Sequence, residues 1–337
     1  MAIQETSGII QLQPDPRQTA TVAGYSLPLW RRSWFVLGVV LLLIAPFVLE
    51  GFTIFQLTLA TVYAIAVLGL NILTGFNGQF SLGHSAFYAI GAYTTGIMYD
   101  QWEIMVYWTI IPSFFICFLA GFLFGLPALR LEGLYLALAT FALAVATPQF
   151  LKYEHFEHFT GGVQGIDVYK PEWLEGDLGP FYITLAITAF MFWIAWNMLN
   201  SRSGRAMVAI RDNPLAAKTM GINTALYKSV TFGISAAFTG VAGSLAAIAI
   251  EYIAPDSFTF LLAVTLLVGL VVGGVASIPG AIFGGLFILY IPNWAEEIST
   301  GLSWAVYGVF LIIAVYVMPA GFAGLVKMTT ARLIKRS

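Results

Sequence analysis

Charge is what this sequence lacks most. Only 9% of its 337 residues are Asp, Glu, Lys or Arg, and 59% are hydrophobic. An ordinary soluble domain carries about 25% charged residues. The run from Phe52 to Tyr99 contains none of these four residue types, and one membrane helix needs roughly 20 apolar residues. The composition therefore excludes an ordinary soluble domain and predicts an integral membrane protein.

Further absences remove other classes of function. The single cysteine, Cys117, excludes an internal disulfide, and its place in an apolar run favours a packed thiol. The pair Gly-Lys never occurs, so the chain has no P-loop for ATP hydrolysis. The apolar runs hold few ionisable groups, which disfavours a self-contained ion-coupled carrier or channel, the main alternative, and a membrane enzyme ranks third. We predict no catalytic residues, no cofactor and no metal site.

The apolar runs divide the chain into ten candidate membrane helices. These runs are continuous and do not alternate with polar residues, which indicates helices and not a barrel. The predicted fold is an all-α bundle of about ten transmembrane helices. A weak similarity between residues 81–91 and 277–285 is compatible with two related halves. The candidate spans are 33–49, 52–73, 84–99, 105–127, 133–150, 181–199, 229–250, 257–276, 279–293 and 302–318.

Basic and acidic residues fall on opposite sides of these spans. With the N-terminus inside, the inside segments hold 13 basic and 4 acidic residues, whereas the outside segments hold 2 basic and 13 acidic. Cytoplasmic loops are enriched in Lys and Arg, so we predict that both termini are cytoplasmic. The predicted parts are a cytoplasmic arm at 1–32, a transmembrane region at 33–318 with an external segment at 151–180 and a cytoplasmic segment at 200–228, and a basic cytoplasmic tail at 319–337.

The cytoplasmic segment contains the start and stop signals of a short helix. Asn213 can cap the helix, Pro214 suits its first position, and Gly221 suits the position after its end. Leu215 and Met220 beside small alanines would make an apolar knob. Such a knob can seat in a groove of a partner. A loop helix that rests on the membrane surface fits the spacing equally well.

The stretch LTGFNGQFSLGHSAF, residues 73–87, interrupts the longest uncharged run. Irregular backbone is tolerated at membrane depth only where it is buried in protein or lines a watery path. The charge count places the stretch near the cytoplasmic face, so two interpretations remain open: an ordinary turn, or a gate on a translocation path. The residues of the second interpretation are Asn71, Gly75, Asn77, Gly78, Gln79, Ser81, Gly83 and His84.

Four motifs, taken together, resemble one known family. The motifs are AIRDNPLAAKTMGIN (209–223), LTGFNGQFSLGHSAFYAIGAY (73–93), LRLEGLYLALATFA (129–142) and TGGVQGI (160–166). They are similar to motifs of the permease subunits of branched-chain amino acid ABC importers, and particularly of the M-type partner among the two unlike permeases. The resemblance extends over residues 35 to 325, approximately.

The resemblance implies a protein of the bacterial cytoplasmic (inner) membrane that moves branched-chain or other small amino acids inward. Implied partners are a second, related permease, two cytoplasmic ATPase subunits and a periplasmic or extracellular binding protein, with no nucleic acid. Relatives also import urea, amides and aromatic acids, so the substrate stays open. The resemblance also implies that segment 200–228 is a coupling loop, the part of a permease that contacts the ATPase. Leu215 stands where the signature of the wider group of permeases has Glu. The residues implied to couple to the ATPase are Arg211, Asp212, Asn213, Pro214, Leu215, Ala216, Ala217, Met220 and Gly221.

Overall fold

Long helices occupy the apolar runs of the computed structural model. The structure describes residues 51–129, 131, 133–171, 176, 178–298, 303–318 and 321–324. The predicted arm, the first candidate span and most of the predicted tail lie outside the described residues. The main helices are, in chain order, α1 (Gly51–Leu70), α2 (His84–Trp102), α3 (Ile110–Ala128), α4 (Leu134–Leu151), α5 (Leu178–Asn200), α6 (Arg202–Asp212), α7 (Pro214–Thr219), α8 (Thr224–Ile250), α9 (Phe260–Gly273), α10 (Ile278–Ile298) and α11 (Ser303–Val317).

The observed helices confirm an all-α membrane protein. Every candidate span after residue 50 corresponds to a helix of the described residues. Six helical segments there are long and apolar enough to cross a membrane, namely those that contain α1, α3, α4, α5, α8 and α10, and α9 is a shorter apolar helix. A total of ten spans stays a prediction, because the first candidate is not described. Helix α8 begins five residues before the predicted 229, since the Asn223 side chain caps it by accepting a hydrogen bond from Leu226 N at 3.1 Å.

Helix α8 forms the centre of the bundle. From Thr231 to Ala249 every residue is buried except Ile234, which is partly buried. The helix packs against α1, α2 and α3. Small residues on its surface let these neighbours approach closely, as where Gly243 meets the backbone of Tyr88. A helix that is apolar around its whole circumference is expected to be buried, and α8 follows that rule.

Helices α9 and α10 pack through paired glycines. A Cβ atom at Gly273 would overlap the backbone of Gly280, and one at Gly284 would overlap the backbone of Gly269. In the sequence these glycines form two pairs four residues apart, Gly269/Gly273 and Gly280/Gly284, which puts both members of a pair on one helix face. Such pairs let two helix backbones approach closely, as α9 and α10 do here.

The external segment is tied to the end of α8. Strand β1 (Ile166–Asp167) pairs antiparallel with strand β2 (Tyr252–Ile253), which directly follows α8. Lys170 Nζ lies 3.2 Å from Glu251 Oε1, and Lys152 forms an ion pair with Asp256. This segment is thus anchored by backbone pairing and by two ion pairs.

Candidate functional site

The junction between α1 and α2 is irregular over thirteen residues. After Leu70 the chain continues as a π-helix from Asn71 to Phe76, and then leaves helical geometry until His84. We call residues 77–83 the break. Single π-helical turns occur frequently at functional sites. At Gly78 the backbone has φ of +74°, in the left-handed region that favours glycine.

The side chain of Asn71 fixes the π-helical turn to the connection between α9 and α10. Its amide nitrogen donates to Ser277 O at 2.9 Å, and its oxygen accepts from Ala276 N at 2.8 Å. Gly75 packs in the same place, because a Cβ atom there would overlap Asn71 Oδ1. The π-helical turn therefore makes polar contact with a segment about 200 residues away in the chain.

His84 lies at the centre of a buried hydrogen-bond chain. Ser235 Oγ donates to Gly69 O at 2.6 Å, so its single proton is not available to His84. His84 Nε2, 2.7 Å from Ser235 Oγ, must therefore donate, which leaves Nδ1 to accept from Ser81 Oγ at 3.1 Å. The chain fixes a neutral tautomer of His84 and connects the break to α8 and α1.

Two further contacts tie the break to α8 and α4. Gln79 Nε2 donates to Lys228 O at 3.0 Å, in the first turns of α8. Leu82 N donates to Thr140 Oγ1 of α4 at 2.9 Å. Gly83 lies against the same threonine, because a Cβ atom there would be 2.8 Å from Thr140 O. The break is consequently held by three different helices.

Asn77 is the exception among the polar side chains of the break. It is 2% exposed, and neither atom of its amide has a hydrogen-bond partner in the structure. An unpaired buried polar group costs about 1–3 kcal/mol. Among the described residues, the site thus contains one buried side-chain amide without a hydrogen-bond partner.

The predicted gate residues lie along one irregular segment, and all of them are buried except Gly78, which is exposed. The polar members Asn71, Asn77, Gln79, Ser81 and His84 are all buried. Burial with internal hydrogen bonds is compatible with a turn packed inside the protein and with a closed gate, so both interpretations stay open. The role of these residues in a gate stays a prediction. Their partners Thr140, Ser235 and Ser277 escape sequence reasoning, since isolated hydroxyl residues in apolar runs carry no distinctive signal.

The cytoplasmic segment forms two successive helices, α6 and α7. Asn213 ends α6 and caps α7, where its side chain accepts from Ala216 N at 3.0 Å. Pro214 occupies the first position of α7, and Gly221 after its end has φ of +83°. The predicted short helix is present, and its start and stop signals have the expected geometry.

The residues of α7 and its flanks differ sharply in exposure. Leu215 is 74% exposed and Met220 is 85% exposed, although both are large and apolar. Ala217 is only 4% exposed and faces its own chain, so it offers no surface to a partner. Beside α7 lies a cleft of about 310 Å³ whose lining residues are Leu129, Pro214, Leu215, Lys218, Thr224, Ala225 and Lys228.

Arg211 connects the two predicted sites. Its Nη1 atom donates to Gly75 O at 2.9 Å, across 136 residues of sequence. Its Nε and Nη2 atoms each lie 2.9 Å from Asp212 Oδ1. The guanidinium group therefore serves contacts within this chain, and the sequence motif that contains Arg211 does not reveal this.

Comparison with protein families agrees with this architecture. The family model described as "Branched-chain amino acid transport system / permease component" matches residues 52–315, which include the break and α7. The chain belongs to this family. No solved structure matches it.

Among curated proteins, this permease resembles the high-affinity branched-chain amino acid transport system permease protein LivM of Escherichia coli K12. The two are 31% identical over 277 residues, which cover 73% of this chain and 64% of LivM. LivH of Salmonella typhimurium is 24% identical over 79% of this chain and 92% of its own length. Identity is higher to LivM, in agreement with the M-type resemblance of the motifs. A shorter match, 29% over 135 residues, covers 36% of this chain and 39% of the autoinducer 2 import permease LsrC of Escherichia coli O9:H4.

Proposed function

We propose that this chain is a membrane-spanning permease subunit of an ABC importer that moves branched-chain amino acids inward by alternating access. Family membership supports the class of protein. The observation that carries the mechanism is the contact between Arg211, at the end of the cytoplasmic helix α6, and the π-helical turn at Gly75. It provides a direct physical connection between a docking surface and an irregular membrane segment.

The proposed docking surface is the apolar knob of Leu215 and Met220. Both side chains lie in the segment that the charge pattern assigns to the cytoplasm, where exposed apolar groups are unfavourable unless a partner covers them. We assign them to a groove on a separate ATPase subunit. Lys218, also exposed on α7, adds positive charge at the rim of the adjacent cleft.

The proposed gate is the break with its flanking residues Asn71 to His84. In alternating access, a gate exchanges one set of contacts for another when the ATPases bind and hydrolyse ATP. The polar groups of the break are held by hydrogen bonds, which can be exchanged for other partners at low net cost. The unpaired amide of Asn77 favours such an exchange, because any state that gives it a partner gains stability.

The proposed assembly contains this chain, a second related permease, two ATPase subunits and a substrate-binding protein outside the membrane. Both termini of this chain are proposed to be cytoplasmic, in the bacterial inner membrane. The chain contains no P-loop and receives its energy from the ATPases. The external segment, anchored at Lys170 and Glu251, is proposed to receive the binding protein.

The substrate has a second candidate class. LsrC, which aligns with part of this chain, is an autoinducer 2 import permease, so autoinducer 2 is a second candidate substrate beside the branched-chain amino acids. Competition for uptake of labelled leucine separates the candidates. Excess isoleucine or valine should inhibit uptake, whereas autoinducer 2, urea, amides and aromatic acids should not.

Reconstitution into vesicles tests the proposed function. The complete importer, supplied with ATP and binding protein, should accumulate labelled leucine. Vesicles with this chain alone, under an imposed proton or sodium gradient, should accumulate none. Gradient-driven uptake by the isolated chain would instead identify a self-contained carrier.

A further inference from the structure

Arg211 satisfies a backbone carbonyl at the end of the π-helical turn. The last carbonyl groups of a helix lack partners within that helix. Gly75 is the second-to-last residue of the turn, and its oxygen accepts from Arg211 Nη1 at 2.9 Å. A guanidinium donor makes this hydrogen bond stronger than one between neutral groups. The contact therefore fixes the distance between α6 and the membrane segment.

The apolar part of the same side chain lies against the break. A Cβ atom at Gly78 would be 2.8 Å from Arg211 Cγ and 3.3 Å from Arg211 Cα. The glycine thus creates the space that the arginine occupies. A polar contact at Gly75 and a steric contact at Gly78 together hold Arg211 in one position.

The position of Arg211 also follows the position of α7. Asn213 is both the residue that ends α6 and the residue that caps α7, so only Asp212 separates it from Arg211. A displacement of α7 consequently displaces Arg211. The two helices also pack against each other.

We propose that Arg211 is a positioning residue that transmits movement of α7 to the gate through its contacts with Gly75 and Gly78. The proposal rests on the proposed function, in which α7 meets an ATPase and the break belongs to a gate. In this proposal Arg211 acts within the permease, because its guanidinium group contacts Gly75 and Asp212 of the same chain.

Arg205 offers a matched control. It lies on the same helix and carries the same charge, but its Nη1 atom reaches only Asn200 O, at 3.4 Å, within its own segment. Replacement by methionine preserves an unbranched apolar side chain and removes every donor. Arg211→Met therefore keeps packing over Gly78 and removes the contacts with Gly75 and Asp212, whereas Arg205→Met removes the same charge from α6 together with a contact inside its own segment.

The first measurement is transport per ATP hydrolysed in the complete reconstituted importer. Arg211→Met should lower this ratio about tenfold, because loss of a charge-assisted hydrogen bond shifts an equilibrium by about that factor. Arg211→Lys retains a donor and should restore most of the ratio. Arg205→Met should match the parent. A role limited to helix stability would lower the amount of assembled importer and leave the ratio unchanged.

The second measurement reports on the gate itself. A membrane-impermeant thiol reagent is applied, with and without ATP, to an importer that carries Asn77→Cys and Cys117→Ala. Labelling at position 77 should depend on ATP in this parent and lose that dependence when Arg211→Met is added. If Arg211→Met changes neither the ATP dependence of labelling nor the transport per ATP hydrolysed, the proposed role of Arg211 is overturned, whereas the proposed gate is supported. If the parent itself labels equally in both conditions, the proposed gate fails.

Discussion

The break and α7 depart from the usual distribution of side chains in opposite directions. The break buries the polar side chains of Asn77, Gln79 and Ser81, whereas α7 and its end expose the large apolar Leu215 and Met220. Buried polar groups and cytoplasmic apolar groups are both costly unless they are partnered. The break finds most of its partners within this chain, whereas no described residue covers most of the surface of Leu215 and Met220. In the proposed mechanism, α7 receives the movement of the ATPase and the break responds to it.

The largest effect is expected from removing the apolar surface of α7. Leu215→Asp should lower ATP-driven uptake about 30-fold or more, since burying an aspartate in an apolar groove costs at least ~2 kcal/mol at an interface centre. The measurement is leucine uptake together with the amount of ATPase that copurifies. Leu215→Met, which conserves the apolar volume, should retain both. Normal uptake by Leu215→Asp would contradict docking through this residue.

The second change removes His84, the centre of the hydrogen-bond chain that joins the break to α8 and α1. His84→Ala leaves the hydroxyls of Ser81 and Ser235 without their shared partner, so the permease should lose about 1–3 kcal/mol of stability. Thermal unfolding of the solubilised importer measures this loss. Copurification of the ATPase by the remaining folded protein should not change. A variant as stable as the parent would show that the chain contributes little.

Replacement of Asn77 should change the stability of the permease in the opposite direction. Asn77→Leu keeps the branched shape and the number of heavy atoms of the side chain and removes an unpaired buried amide, so it should raise stability by about 1 kcal/mol. It should also slow uptake, because the described state becomes relatively more stable than the alternatives. The measurements are thermal unfolding and initial uptake rate. A destabilised Asn77→Leu variant would mean that the amide is paired in the membrane.

The smallest effect is expected at the external segment. Lys170→Gln removes one partly exposed ion pair with Glu251 and should cost at most about 1 kcal/mol. Because the outer segments are predicted to be acidic, loss of a positive charge should make capture of the loaded binding protein more dependent on salt, mainly through the encounter rate. Association rates at two salt concentrations check this. The acids Glu172, Glu175 and Asp177, in the same predicted segment, lie outside the described residues.

Sequence reasoning succeeds here where the determining interactions are local. Hydropathy locates the described spans because each helix must satisfy its own backbone in lipid, and Asn213 with Pro214 locates α7 because a cap acts within one turn. Contacts across long separations carry no such signal. The bond from His84 to Ser235 crosses 151 residues, and the bond from Arg211 to Gly75 crosses 136. Ala217 illustrates the same limit, because only the packing of α7 against the rest of the chain decides that it faces inward.

The most direct test of the connection between these regions is amide hydrogen exchange of the assembled importer. Exchange reports local opening, so peptides that cover residues 73–83 and peptides that cover the centre of α8 are compared with and without ATP. The account predicts that ATP changes exchange in residues 73–83, leaves the centre of α8 unchanged, and has no effect on residues 73–83 when Leu215→Asp is present. Equal exchange of residues 73–83 in both conditions would contradict the account.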